Sequence, residues 1–309
     1  MSAQSSGHDY VMTRRLLNSS GTKYQDAVQY YDGAGFPSQY VEKQVTPDGK
    51  NRIGRKTYDS RGRQSREYLP LIQEASVLYV SSNYYGKDTA QYHDSRPYSR
   101  MTYEKAPSGR IATEEGPGDG WSGHGVTREY GSNASSGTLS CKWYVVLSDG
   151  KLSDEGNRPS GTVRTETVTD EDGCVRILFR DGAGRVLLSR ALNGTQKLDT
   201  YNVYDGHGNL RYVLEPEYQE SADTSKYAFI YRYDAVDRVV REKRPGCSAV
   251  RYWYDKGGHL TFSQDGAESS SGKWTFHLYD NRHREVLRGV LLRREGARVE
   301  DGDDEPQKR

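Results

Sequence analysis

Short runs of alternating polar and apolar residues recur along the chain, and each run is interrupted by a tight turn rich in Asp and Gly. One run starts at Tyr204 and reads YDGHGNLRYVLEP, and similar runs start at Tyr31 (YDGAGFPSQYVEKQ) and Tyr58 (YDSRGRQSREYLP). Alternation with a period of two predicts half-buried β-strands, and a turn between two such runs predicts a β-hairpin. The pattern therefore predicts a chain that repeats one hairpin-sized unit.

The predicted turns share a spacing, in which an aspartate is followed three positions later by a residue that can adopt positive φ. The pairs are Asp32 with Gly35, Asp59 with Gly62, Asp181 with Gly184, Asp205 with Gly208, Asp234 with Asp237, Asp255 with Gly258, and Asp280 with His283. Asp accepts hydrogen bonds from the backbone amides that follow it, and Gly adopts positive φ without steric cost. Asp237 and His283 stand in place of Gly in two of the turns, and Asp and His are among the other residue types enriched at positive φ. We interpret all these residues as structural.

A single hairpin is marginally stable in water, whereas hairpins that stack side by side bury one face each. We therefore predict an all-β fold of stacked antiparallel β-hairpins that form a curved or spiralling sheet. Very little helix is expected, because no stretch combines helical periodicity with both caps. Residues 1–150 are predicted to form an N-terminal β domain with two of the hairpins and an irregular insertion from Leu71 to about Ser136. Residues 151–292 are predicted to be repeats, and residues 293–309 a disordered charged tail.

Composition limits the classes of function. Only 33% of the residues are hydrophobic and the mean hydropathy is −0.94, yet the chain has 25 Tyr and 4 Trp, which argues against disorder. Lys and Arg number 44 against 43 for Asp and Glu, so nothing favours nucleic acid or an anionic membrane as a partner. No apolar run approaches the roughly 18 residues of a membrane helix, and the N-terminus has no apolar signal core.

Chemistry-bearing residues form no recognisable constellation. Cys141, Cys174 and Cys247 are too widely spaced for a disulfide framework or a zinc knuckle, and the seven His lack metal-ligand spacing. No glycine motif for nucleotides and no nucleophile elbow is present. The acidic segment TDEDG at 169–173 allows a calcium site as an alternative, but a repeat turn is favoured. We expect no catalytic residues, no cofactor and no metal, and hence not an enzyme.

Aromatic side chains are the better candidates for recognition. Exposed Trp and Tyr on a sheet can stack on sugar rings or contact a protein. Trp121, Trp253 and Trp274 are therefore candidate contacts for a ligand or partner. The alternative, which we favour, is that they pack between neighbouring strands or attach the repeats to the N-terminal domain.

The pattern Tyr-Asp-x-x-Gly-Arg resembles the YD repeat of the RHS (rearrangement hotspot) proteins, a group that includes wall-associated proteins and the extracellular part of teneurins. Residues 29–71 and the segment YEKAPSGRIATEEGPGDGW (103–121) resemble the N-terminal domain of unknown function of long RHS proteins from Bacteroidetes. The segments TDEDGCVRILFRDGAGRVLLSR, YDGHGNLRYVLEPE and YDKGGHLTFSQDG resemble the repeats that follow that domain. The resemblance covers roughly residues 10–292.

The resemblance implies a hollow β-sheet shell that encloses a C-terminal toxic domain in the toxin-bearing members, and a location outside the cell or at its surface. The implied partners are further RHS repeats, a core segment and the toxin cargo. The chain ends at Arg309 without a core segment or toxin region, so self-cleavage and toxicity are not expected of it. We expect a non-catalytic part of such a shell. The alternative is a cell-surface module that binds carbohydrate or protein, and an enzyme is the third possibility.

Overall fold

The computed structural model describes residues 7–292. Within them the chain forms strands joined by tight turns, and the longest helix has nine residues. Nineteen strands belong to antiparallel sheet, and two others form a separate hairpin. This confirms the prediction of an all-β fold built from antiparallel hairpins with very little helix.

The first compact unit, the N-terminal unit, comprises the chain up to Tyr130 together with Glu166–Arg176. Its successive strands pair antiparallel with one another from β1 to β8. The elements are β1 (Tyr10–Leu16), β2 (Tyr24–Tyr31), β3 (Pro37–Glu42), β4 (Asn51–Tyr58), β5 (Gln64–Gln73), α1 (Tyr84–Tyr92), β6 (Tyr98–Tyr103), β7 (Ile111–Glu115) and β8 (Val126–Ser132). The segment from Leu71 to about Ser136, expected to be irregular, thus contains α1 and β6 to β8.

The second compact unit, the C-terminal unit, comprises Gly131–Thr165 and the chain from Ile177 onward. Its main strands again pair antiparallel in chain order, from β13 to β21. The elements that follow β8 are β9 (Lys142–Val146), β10 (Leu152–Asn157), β11 (Arg164–Thr169), β12 (Val175–Arg180), β13 (Val186–Asn193), β14 (Gln196–Tyr204), β15 (Leu210–Leu214), α2 (Tyr218–Ser221), α3 (Thr224–Tyr227), β16 (Ala228–Tyr233), β17 (Val239–Lys243), β18 (Val250–Tyr254), β19 (Leu260–Gln264), α4 (Gly266–Ser270), β20 (Lys273–Tyr279) and β21 (Glu285–Leu292). Strands β8, β11 and β12 contribute residues to both units. The predicted division at residue 150 concerns sequence domains and stays a prediction, and the predicted tail lies outside the described residues.

The core of the N-terminal unit is formed largely by buried side chains of β2 to β5. Val28, Val41 and Ile53 are fully buried on alternating positions of these strands, as the period of two requires. Helix α1 covers them through Tyr84, whose hydroxyl donates to the Ile53 carbonyl at 2.6 Å. The buried Gln39 amide bonds both backbone groups of Val80, at 2.8 and 3.1 Å, which fixes the segment before α1 to the sheet.

The core of the C-terminal unit combines apolar side chains with one buried ion pair. Phe179, Leu188 and Leu214 are fully buried. Arg190 is also buried, and it binds Asp199 through two contacts of 2.7 and 2.6 Å. Its third nitrogen donates to the carbonyls of Thr138 and Ser140, at 2.5 and 2.9 Å. Each of the three guanidinium nitrogens is therefore hydrogen-bonded, as a buried charge requires, and Arg190 fixes the loop before β9 to the sheet.

Candidate functional site

Each predicted turn is closed around its aspartate. In the turn at Asp234, Oδ1 accepts the amides of Val236 and Arg238, at 3.0 and 2.9 Å. Aspartates with the same two contacts, from residues two and four positions later, are Asp32, Asp59, Asp181, Asp205 and Asp280, while Asp255 has the one from His259. The residue three positions after each of these aspartates has φ between +62° and +91°. These residues are Gly35, Gly62, Gly184, Gly208, Asp237, Gly258 and His283. The acidic segment at 169–173 forms another such turn, in which Oδ1 of Asp170 accepts the Cys174 amide at 2.8 Å.

An arginine four positions after the aspartate completes several of the turns. Arg238 donates its Nε to Oδ2 of Asp234 at 2.6 Å. The equivalent contact is 2.8 Å in the pairs Asp59–Arg63, Asp181–Arg185 and Asp280–Arg284. The backbone amide and the guanidinium of Arg63 lower the pKa of Asp59 to about 2, because both interactions favour the ionised carboxylate. These turns therefore carry permanently paired charges at neutral pH.

The same arginine also contacts the tyrosine that begins the following turn. Arg238 lies 4.8 Å from the ring centroid of Tyr254, whose hydroxyl donates to the Val239 carbonyl at 3.0 Å. The combination recurs for Arg63 with Tyr103 and for Arg185 with Tyr204, and Arg110, which is paired with Glu104 instead of an aspartate, contacts Tyr130 in the same way. In each case the tyrosine hydroxyl bonds the carbonyl of the residue after the arginine. We call this set of aspartates, arginines and tyrosines the Tyr–Asp–Arg ladder. Where it is present, it connects one hairpin to the next by a cation–π contact and a hydrogen bond.

An imidazole replaces the arginine in the turn at Asp255. His259 Nδ1 lies 3.0 Å from Oδ2 of Asp255, where other turns place a guanidinium. Its Nε2 lies 2.6 Å from Nδ1 of His283, and the two rings stack with centroids 4.7 Å apart. The His259 ring also contacts Tyr279 at 5.0 Å, so the contact with the next turn is kept.

The three tryptophans singled out from the sequence lie in different settings. Trp121 is 45% exposed and lies in the N-terminal unit, against Gly116. Trp253 is half-buried on β18 opposite Phe262 of β19. Trp274 is half-buried on β20, and its indole N–H is buried without a hydrogen-bond partner within residues 7–292. Their role in binding a ligand or partner stays a prediction.

A fourth tryptophan, Trp143, lies beside a cavity of about 470 Å³ in the C-terminal unit. It belongs to the β9–β10 hairpin, which packs on the sheet through a T-shaped contact of Tyr144 with Tyr201, at 5.0 Å between centroids. The Gly150 carbonyl, at the tip of the hairpin, accepts hydrogen bonds from Tyr212 at 2.8 Å and Arg232 at 2.6 Å. Trp143 is not among the three tryptophans singled out from the sequence. The available signal was the KWYVV run before the SDG turn, which has the same strand-and-turn pattern as the repeats.

The cavity is lined by aromatic and charged side chains. Trp143 is 41% exposed, and the Arg158 guanidinium lies 5.3 Å from its ring centroid. The repeat turns at Asp181 and Asp205 also contribute lining residues. Arg158 Nε is buried, and within the described part of the chain its guanidinium has no hydrogen bond or ion pair. This cavity therefore combines an aromatic surface with a guanidinium that has no ion pair among the described residues.

Within residues 7–292, no three His, Cys, Asp or Glu side chains are grouped so that they could hold a metal ion. Cys141 is buried, and desolvation raises its pKa to about 11, which keeps the thiol protonated and weakly nucleophilic. In the same part of the chain, no helix has the length and apolar character needed to cross a membrane.

The terminal strand of the C-terminal unit exposes its apolar side chains. Val286, Leu287, Val290, Leu291 and Leu292 of β21 are between 46% and 70% exposed. Among the described residues β21 pairs only with β20. An apolar edge strand in this state is suited to pairing with another strand.

The fold belongs to the class of large antiparallel β-sheet proteins, and comparisons with known proteins refine this description. Residues 6–133 match a family model described as a domain of unknown function, DUF6443. Over 101 residues, 33% of this chain, the sequence is 27% identical to the "tRNA(Glu)-specific nuclease WapA" of Bacillus subtilis subsp. natto (strain BEST195), and the match spans 4% of that protein.

Solved structures of Tc toxin proteins share the fold over 94% of this chain. They are a Tc holotoxin pore of Photorhabdus luminescens carrying a TccC3 mutation (TM-score 0.54, 14% identity), the TcdB2–TccC3 complex (0.55, 15%) and the TcdB2–TccC3–Cdc42 complex (0.54, 16%). The chain spans 13% to 14% of the length of those chains. At these identities the likeness shows a common fold.

Proposed function

We propose that this chain is a non-catalytic structural segment of an RHS-type shell, of the YD-repeat type found in Bacteroidetes, that encloses or presents a toxin or other cargo in interbacterial competition. The single observation that carries the proposal is the exposed apolar strand β21, which pairs only with β20 among the described residues. In a shell of stacked hairpins, the strand of a further hairpin would cover this edge and bury Val286 and Val290.

The Tyr–Asp–Arg ladder supports a structural role. Catalysis needs one constellation of groups, whereas the aspartates and arginines here recur at four separate turns and are paired with each other. The likeness to Tc toxin chains over 94% of this chain supports the same proposal, since it places a similar sheet within much longer proteins.

The test uses the complete protein as its own cells produce it, purified under native conditions. Limited proteolysis before and after unfolding, followed by mass spectrometry, should reveal a polypeptide that is protected only while the sheet is folded. A double variant, Val286→Lys with Val290→Lys, should lose this protection, whereas Val236→Lys, at an exposed apolar residue in a repeat turn, should keep it. Uniform cleavage of every segment in the native protein would overturn the proposal.

The second candidate is a cell-surface module that binds carbohydrate or protein. The exposure of Trp143 beside a cavity favours it. If the native protein holds no protected polypeptide and binds surface polysaccharide in a manner abolished by Trp143→Ala, this second function is supported.

A further inference from the structure

The β9–β10 hairpin has an unused strand edge beside the cavity. The Leu147 amide bonds the Lys151 carbonyl at 2.8 Å, and hydrogen-bonded pairs alternate along an antiparallel ladder. The backbone groups of Tyr144 and Val146 therefore point away from β10. All five residues of β9 line the cavity, and within residues 7–292 the strand pairs with β10 alone. The edge is thus a template for one more strand.

The charge of the cavity is unbalanced at one position. Lys142 is paired with Asp154 at 2.9 Å, and Arg185 is paired with Asp181 at 2.8 Å. Arg158 has no ion pair within the described residues, although its Nε is buried. A buried donor without a partner is costly, so an acceptor from outside the described structure would relieve this cost. A carboxylate fits best, because a guanidinium binds it through two parallel hydrogen bonds.

We propose that this cavity binds an extended acidic polypeptide segment, which adds as a strand to the free edge of β9 and places a carboxylate on Arg158. Main-chain hydrogen bonds to Tyr144 and Val146 provide affinity, and Arg158 with Trp143 provides specificity. A polypeptide is favoured over an acidic saccharide because the whole length of β9 lines the cavity, and only a strand uses its backbone groups at regular spacing. The inference is independent of the proposed shell function, since it concerns a cavity within one unit.

The probe is a capped, fluorescein-labelled heptapeptide of alternating valine and glutamate, titrated into the full chain and followed by fluorescence anisotropy. Two comparison peptides isolate the two parts of the proposal: one has lysine in place of glutamate, and the other carries N-methyl groups on alternate amides. We expect each change to weaken binding by about tenfold or more, since the first removes the charge-assisted bond and the second the strand pairing. Hydrogen exchange at Tyr144 and Val146 should slow only with the unmodified peptide.

Variants of the chain complete the test. Arg158→Gln and Trp143→Ala should each weaken the peptide about tenfold, and Arg158→Lys should recover part of the loss. Arg282→Gln and Tyr24→Ala are the matched controls at an exposed arginine and at an exposed aromatic ring beside an arginine, and they should bind normally. Any of three results would overturn the proposal: equal binding of the N-methylated peptide, unchanged binding to Arg158→Gln, or displacement of the peptide by a uronic acid oligosaccharide with no effect of N-methylation. So would the absence of binding at about 1 mM peptide.

Discussion

Replacing Asp88 by Asn is expected to remove a large part of the pH dependence of folding of the N-terminal unit. Asp88 lies on α1 with no exposed surface, and neither carboxylate oxygen has a hydrogen-bond partner within residues 7–292. Desolvation raises its pKa from 3.8 to about 7, because the ionised form loses its hydration without a compensating contact. The burial of this side chain is therefore unfavourable whenever it is charged.

The sign and size of the effect follow from the two pKa values. Below pH 3.8 the carboxyl is protonated in both states, so it has no effect on the pH dependence. Between that pH and about 7 the unfolded chain loses the proton while the folded chain keeps it, so the free energy of unfolding falls by about 1.4 kcal/mol per pH unit. Above pH 7 the loss levels off at about 4 kcal/mol, roughly three units times that slope. Asn has no proton to lose and lacks this slope.

The assay is urea denaturation of wild type and Asp88→Asn from about pH 5 to about pH 8, with hydrogen exchange of peptides from α1 and β5 as a local readout. The stability difference between the two proteins should change in favour of Asn by several kcal/mol as the pH rises. Any constant cost of the Asn amide cancels in this comparison. Asp172→Asn, which removes an exposed carboxyl from a repeat turn, is the control and should show no such trend. A difference that stays constant with pH would refute the reasoning.

Two further changes test the turns. Asp234→Asn should destabilise the chain by about 1–3 kcal/mol at pH 7. Desolvation opposes ionisation of Asp234, but the amide and guanidinium of Arg238 outweigh it and lower the pKa of this carboxyl, so the stabilisation is present above the usual Asp pKa and should vanish when urea curves are measured at lower pH. An equal loss of stability at every pH would contradict the ladder. Gly62→Ala and Gly184→Ala both place Ala at positive φ, +75° and +84°, but an added Cβ at Gly62 would lie 2.5 Å from Phe36 Cζ, whereas Gly184 has nothing within 4 Å. Both should lose about 1–2 kcal/mol from backbone strain, with the larger loss at Gly62, and equal urea midpoints would show that Phe36 moves aside freely.

The sequence by itself determined the local structure, because a repeat turn is closed by contacts within five residues. An Asp such as Asp205 accepts the amides of His207 and Asn209 whatever the rest of the chain does, and Gly208 follows with φ of +91°. The alternation on either side then fixes which side chains face the core, and with it the all-β fold of antiparallel hairpins. The pairing of a ladder arginine with its own aspartate is also local, because the two residues are only four positions apart.

Only the tertiary structure decided which residues meet across hairpins. The contact of Arg238 with Tyr254 depends on strand pairing, and the contact of Tyr212 with Gly150 joins residues 62 positions apart. The cavity beside Trp143 and the unpaired Arg158 exist because the β9–β10 hairpin packs on the sheet. The burial of Asp88 likewise depends on α1 covering the sheet. Hydrogen bonds of Gln39 and Tyr84 attach α1 and the segment before it to that sheet. Burial and charge pairing are properties of neighbours in space, which local spacing along the chain does not encode.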